Sequence, residues 1–146
     1  MKNILCLLIN VVILLFFLEN EALAINGGAY NSAPGKRMDI SSANNWYIYE
    51  FPITDDPVVG SVITYIYYQY AINREKINGT LIVELCNKKT TKCVDISDSQ
   101  SGMISYFYGD DAKSEFFMKY KILIHGGNVF IASDGVSQIT VNWSTN

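Results

Sequence analysis

The chain has one histidine, three cysteines, three prolines and two tryptophans in 146 residues, and charged side chains make up only 17% of it. Each scarcity excludes something. Lys plus Arg number 11 against 14 acids, a formal charge of −3, and no basic run is longer than Lys88-Lys89. That balance leaves no electrostatic footprint for nucleic acid. The lone His125 precedes Gly126-Gly127 in an expected turn, a setting that favours exposure to solvent over a catalytic role. A Ser-His-Asp set assembled from His125, Asp134 and a serine has no nucleophile elbow to support it. The chain also lacks a long helical stripe, an internal repeat and a low-complexity tract.

An apolar run from Ile4 to Leu18, preceded by Lys2 and followed by Ala22-Leu23-Ala24, has the three parts of a secretion signal. The run is shorter than the roughly 20 apolar residues that span a bilayer, Asn10 interrupts it, and Glu19 and Glu21 close it. Cleavage is expected after Ala24, so residues 1–24 leave as a signal peptide and residues 25–146 remain as one domain. Cys6 departs with the leader. Removal of Lys2, Glu19 and Glu21 takes the formal charge from −3 to −2 over 122 residues, a length that supports a core without several cross-links.

Export gives the two remaining thiols a meaning. In Leu85-Cys86-Asn87-Lys88-Lys89-Thr90-Thr91-Lys92-Cys93-Val94, an oxidising compartment joins Cys86 to Cys93 as a disulfide. A redox pair normally sits as Cys-x-x-Cys at a helix N-terminus, and this pair lies on expected strands. Closing so short a loop is worth about 2–3 kcal/mol through the unfolded chain. With both sulfurs joined, too few Cys or His ligands remain for zinc, and no cofactor or metal is implied.

β-Branched and aromatic bursts separated by Gly, Asn, Asp and Pro mark an all-β chain. The expected strands are Trp46 to Phe51, Val58 to Tyr70, Thr80 to Cys86, a return from Cys93, Met103 to Tyr108, Phe116 to Ile124, Val129 to Ala132 and Val136 to Trp143. Thr54 to Pro57, Asn73 to Gly79, Gln100-Ser101-Gly102, Gly109-Asp110-Asp111 and Ser133-Asp134-Gly135 read as turns, with Asn78-Gly79 suited to positive φ. In the long strand, strict alternation sets Val62, Thr64, Ile66, Tyr68 and Tyr70 on one face and Ile63, Tyr65, Tyr67 and Gln69 on the other. In the last, Ile139, Val141 and Trp143 share a face. Seven or eight such strands make a single-domain antiparallel β-sandwich or an open barrel, with one disulfide-stapled hairpin.

Two softer signals concern recognition. Tyr65, Tyr67, Tyr68 and Tyr70 crowd one strand, with Tyr47 and Tyr49 upstream; packing is the plainer explanation, and Tyr65 and Tyr67 are the candidates for a partner-binding face. The acid pairs Asp55-Asp56 and Asp110-Asp111 are read as turn formers with solvated charge in preference to calcium ligands. Asn78-Gly79-Thr80 and Asn142-Trp143-Ser144 fit the N-glycosylation pattern, which matters only in a eukaryotic secretory pathway.

The order of landmarks resembles the FlhE family of flagellar proteins. It runs through Leu81 to Leu85, Leu85-Cys86, Cys93-Val94, Gln100-Ser101-Gly102, Phe107, Gly109, Gly126-Gly127 and Val136 to Trp143, closing on Val141-Asn142-Trp143. The chain departs from the family in a longer cysteine loop holding three lysines, and in more tyrosine. The resemblance implies a periplasmic, non-enzymatic β-sandwich of flagellar assembly, chaperone-like or regulatory. Such a protein limits proton leakage through the export apparatus, prevents filament growth in the periplasm, and has flagellar structural or export components as partners. Nothing in it implies stable membrane insertion once the signal is removed. The alternative from the residues alone is a secreted lectin-like or adhesin-type sandwich that stacks sugars on exposed aromatics; a small hydrolase around His125 is a third.

Overall fold

The apolar bursts become ten strands, and the described residues contain no α-helix. The computed structural model describes residues 27–72, 74, 77–124 and 130–145. The expected leader with its cleavage point, Asn73 at the start of a turn, His125, Gly126-Gly127 and Val129 lie outside them. The strands are β1 Gly27–Ser32, β2 Asp39–Ile40, β3 Tyr47–Phe51, β4 Val62–Gln69, β5 Thr80–Asn87, β6 Cys93–Asp95, β7 Ser101–Ile104, β8 Phe116–Leu123, β9 Ile131–Ala132 and β10 Gln138–Ser144.

Two four-stranded sheets, ordered β1-β10-β4-β7 and β3-β8-β5-β6, accompany a small β2-β9 pair. Every pairing is antiparallel. The inward residues of both large sheets, among them Ile66, Val141, Val83 and Met118, belong to one hydrophobic cluster. The sheets keep separate edges, so the fold is the expected sandwich and not a closed barrel. Tyr120 lies at the centre. Its ring meets Tyr70 and Tyr49 edge-on, at 6.2 and 6.1 Å between centroids, and its hydroxyl lies 3.0 Å from Ser137 Oγ, so a fully buried phenol keeps a polar partner.

Strict alternation fails in β4. Ile63 and Ile66 are both fully buried although three positions apart. The register with β10 shows why: Asn142 faces Tyr65 and Trp143 faces Ile63, leaving Thr64 as the extra residue of a β-bulge. From Ile66 onward the expected faces hold, with Tyr68 and Tyr70 inward and Tyr67 and Gln69 outward, but Ile63 faces the core and not the solvent side. Burying the second isoleucine is worth about 1.5–3 kcal/mol.

Three boundaries also differ. Val58 to Ser61 is a turn, not strand, closed by Ser61 N–H on Val58 O at 3.0 Å with Gly60 at φ 84°. The strand expected over Met103 to Tyr108 begins instead at Ser101, inside the expected turn, and ends at Ile104. Beyond it Tyr108 N–H bonds Ser105 O and Asp110 N–H bonds Phe107 O, a tight turn that tucks Phe107 into the core. No strand is expected before Trp46, where β1 and β2 lie; β1 opens on Gly27-Gly28, and a Cβ at Gly28 would come 2.6 Å from the Trp143 ring that covers it. Gly79 has φ 151°, and a Cβ there would stand 2.5 Å from Leu123 O, so the Asn78-Gly79 turn requires glycine.

Candidate interaction surface

The β1-β10-β4-β7 sheet is built without charge. Its strands read GGAYNS, QITVNWS, VITYIYYQ and SGMI, with no Asp, Glu, Lys or Arg among them. Alternation turns Asn31, Thr140, Asn142, Tyr65, Tyr67 and Met103 to the outside. Their polar groups bond to one another across strands, Thr140 Oγ1 with Asn31 Oδ1 and Gln138 Nε2 with Gln69 Oε1. Tyr65 and Tyr67 form an edge-to-face pair with centroids 5.3 Å apart. Tyr67 is 49% exposed and Met103, directly across from it on β7, is 60% exposed. With Gln69, Ser101, Gln138 and Thr140 they line a shallow trough.

The tyrosines therefore divide. Tyr68 and Tyr70 pack the core as the plainer reading held, and burial raises both phenol pKa values. Tyr47 and Tyr49 are half-buried from β3. Tyr65 and Tyr67 lie on the outer face, Tyr65 half-buried and Tyr67 exposed.

The cysteine hairpin lies on the opposite side of the sandwich. Cys86 and Cys93 are directly paired on β5 and β6 and bonded, with Cα atoms 4.1 Å apart. Outward neighbours on that sheet are charged: Glu84 binds Lys119 at 2.7 Å across β5 and β8, and Lys119 and Lys121 stand 4.7 and 5.5 Å over the Trp46 ring. The structure does not bring the tyrosine pair and the hairpin into one site. Glu84, Cys86 and Cys93 hold their ligand atoms within 4.8 Å of one another, but the sulfurs are joined and the carboxylate is engaged by Lys119, so the chemistry for a metal is already used.

The loop that Cys86 and Cys93 close is held down by its own lysines. Lys88 reaches Glu115 at 2.8 Å and Glu50 at 3.3 Å, Lys89 reaches Asp111 at 2.7 Å, and Lys92 reaches Asp110 at 2.8 Å. Asn87, fully buried, donates from Nδ2 to Asp110 Oδ2 at 3.1 Å and accepts the N–H groups of Lys89 and Thr90 on Oδ1. Asp56 likewise binds Lys113 at 2.5 Å. Asp56, Asp110 and Asp111 are thus ion-paired and not merely solvated turn formers, a correction that strand spacing could not supply because the partners lie far along the chain. The Lys89 bond holds the Asp111 carboxyl below its usual range, Glu115 and then Glu50 raise Lys88, and burial followed by Asp111 pushes Tyr30 up to about 12. None of these groups lies on the outward face of the neutral sheet, whose chemistry is contact and hydrogen bonding.

The profile of the flagellar protein FlhE family matches residues 50–144. A crystal structure of FlhE is similar with a TM-score of 0.65 at 21% identity, covering 81% of this chain and 97% of that one; at that identity the likeness speaks for the fold. No curated protein matches the chain. The sequence singles out Tyr65 and Tyr67 but not the neutrality of the whole sheet: each strand lacks charge visibly, whereas nothing local says that these four strands are neighbours.

Proposed function

The chain belongs to the FlhE family of flagellar proteins, and from that premise we propose that it is an exported, non-enzymatic accessory of flagellar assembly, chaperone-like or regulatory. The signal peptide ends at Ala24, and the remaining domain works in the periplasm, where the Cys86–Cys93 bond persists. Among the described residues no helix is long and apolar enough to cross a membrane. There it guards flagellar export against proton leakage and prevents filament growth in the periplasm, by contact with a flagellar structural or export component. Tyr65 and Tyr67 contribute to that contact.

The observation that carries this reading is the family match over residues 50–144; the uncharged, tyrosine-bearing sheet gives it a surface. Deleting the gene in the source organism tests it. Impaired swimming, filaments inside the periplasm, or abnormal acidification of the periplasm are the expected results. Normal behaviour on all three counts overturns the role, and retention of a neutral glycan by the trough of amides, hydroxyls and Tyr67 then favours the sugar-binding alternative.

A further inference from the structure

The two large sheets have four edges, and they are not equally available. Along β1, Asn31 O accepts a hydrogen bond from Thr54 Oγ1 and Ser32 Oγ donates to Pro52 O, so the chain after β3 lies against that edge. β3 carries Glu50, paired with Lys88, and runs into Pro52. β6 has three residues, with the disulfide at one end and Asp95 at the other. Charge, proline and shortness are the usual guards against unwanted strand pairing. β7 is short, but it has neither charge nor proline.

The orientation of β7 follows from one bond. Tyr70 N–H donates to Gln100 O at 2.9 Å, and antiparallel pairs alternate between bonded and non-bonded. Gly102 and Ile104 therefore turn their N–H and C=O groups to β4, while Ser101 and Met103 turn theirs outward. Ser99 Oγ, 2.7 Å from Ser101 O, confirms the outward direction and takes that carbonyl. Among the described residues, nothing bonds the N–H or C=O of Met103 on that side.

We infer that the outer edge of β7, centred on Met103, is a strand-addition site for an extended, uncharged segment of a partner protein. The main chain of Met103 supplies the bonds, and the trough beside it, floored by Tyr67 and flanked by Gln69, Gln138 and Thr140, receives an alternate side chain of the added strand. Neutrality selects the occupant. A charged side chain in the added strand would be partly desolvated against a sheet that offers no counter-charge, whereas β-branched, aromatic or amide side chains meet their own kind. This assignment rests on the accessory reading above, since it says how that contact is made.

The test measures binding of overlapping 12-residue peptides covering the flagellar rod, hook, filament and export proteins of the source organism, with the secreted domain intact. Uncharged, strand-forming peptides are expected to bind, to slow hydrogen exchange at the Met103 amide, and to lose about tenfold in affinity to Met103→Pro, which removes the outward N–H without touching the β4 ladder. Tyr67→Ala is expected to weaken the same peptides. Preference for charged peptides, or binding that leaves Met103 exchange unchanged in the wild-type chain, overturns the site even should the proline variant fail to fold. The two readings also fail separately. Flagellar proteins that co-purify equally with wild type and Met103→Pro keep the accessory role and refute the edge; neutral peptides from unrelated proteins, bound through Met103 in a chain whose deletion leaves motility normal, do the reverse. A concentration-dependent dimer abolished by Met103→Pro would show a second copy as the occupant and overturn the partner assignment.

Discussion

The two sheets bury the same kind of interior and present opposite exteriors. Inward, β4 and β10 offer Ile63, Ile66, Ile139 and Val141, while β5 and β8 offer Leu81, Val83, Met118 and Ile122. Outward, the β3-β8-β5-β6 sheet carries the Glu84–Lys119 pair, and from its disulfide-closed loop Lys88 holds Glu115 while Lys89 and Lys92 hold Asp111 and Asp110, on the segment that bridges to β4. The β1-β10-β4-β7 sheet has tyrosine, methionine, amides, hydroxyls and the small or aliphatic Ala29 and Val62 there, and no charge. Cross-links and ion pairs are thus concentrated on one side of the molecule, leaving the other chemically plain and free to be met by something else.

The sharpest way to break the comparison is in β4. Ile63→Ala empties a fully buried position that only the bulge turns inward; stability measured by urea unfolding falls by about 3 kcal/mol. The stapled sheet is tested by replacing Cys86 and Cys93 together with alanine. Unfolding free energy drops by about 2–3 kcal/mol, while peptide binding at β7 is unchanged, because the bond lies on the opposite face.

Titration probes the fold at the two ends of the pH scale. Asp111 has a lowered carboxyl pKa, so its contribution is complete above its ordinary value of 3.8 and is lost as pH falls through the depressed one; Asp111→Asn flattens that acid limb in thermal melts. Tyr30, on the neutral sheet, has a raised pKa, so its contribution is complete below pH 10.0 and is lost as pH rises toward about 12. Tyr30→Phe shrinks the alkaline limb, to which buried Tyr120 and Tyr70 also contribute, and leaves the acid one. The smallest effect is a gain. Thr91, in the clamped loop, sits at φ 57°, a region unfavourable for a β-branched residue; Thr91→Asn raises the melting free energy by about 0.5 kcal/mol.

Much of this architecture was legible in the residues. Alternation located β5, β8 and β10 within a residue or two, and export with spacing joined Cys86 to Cys93, because these depend on neighbours in sequence. Period-two reading could not register the single inserted Thr64, which reveals itself only against Asn142 on another strand. The glycines at the start of β1 have low strand propensity and conceal an element held by tertiary packing against Trp143. Gly102 read as a turn residue for the same reason, yet its place in β7 suits it: a Cβ would come 2.8 Å from the Tyr68 hydroxyl. Tyr65 and Tyr67 were identified as candidates, but their setting on a chargeless sheet depends on strand order, which no local pattern states.

The lysine clamp has a mechanical meaning as well. The turn that leaves β7 runs through Phe107 to Asp110, and Asp110 is gripped by Lys92 and Asn87, both in or beside a loop whose ends are covalently joined. A pull along β7 is therefore passed through a side-chain tether into a closed ring of chain that cannot lengthen. The strand with the least protection at its edge is the one moored to the least extensible part of the protein.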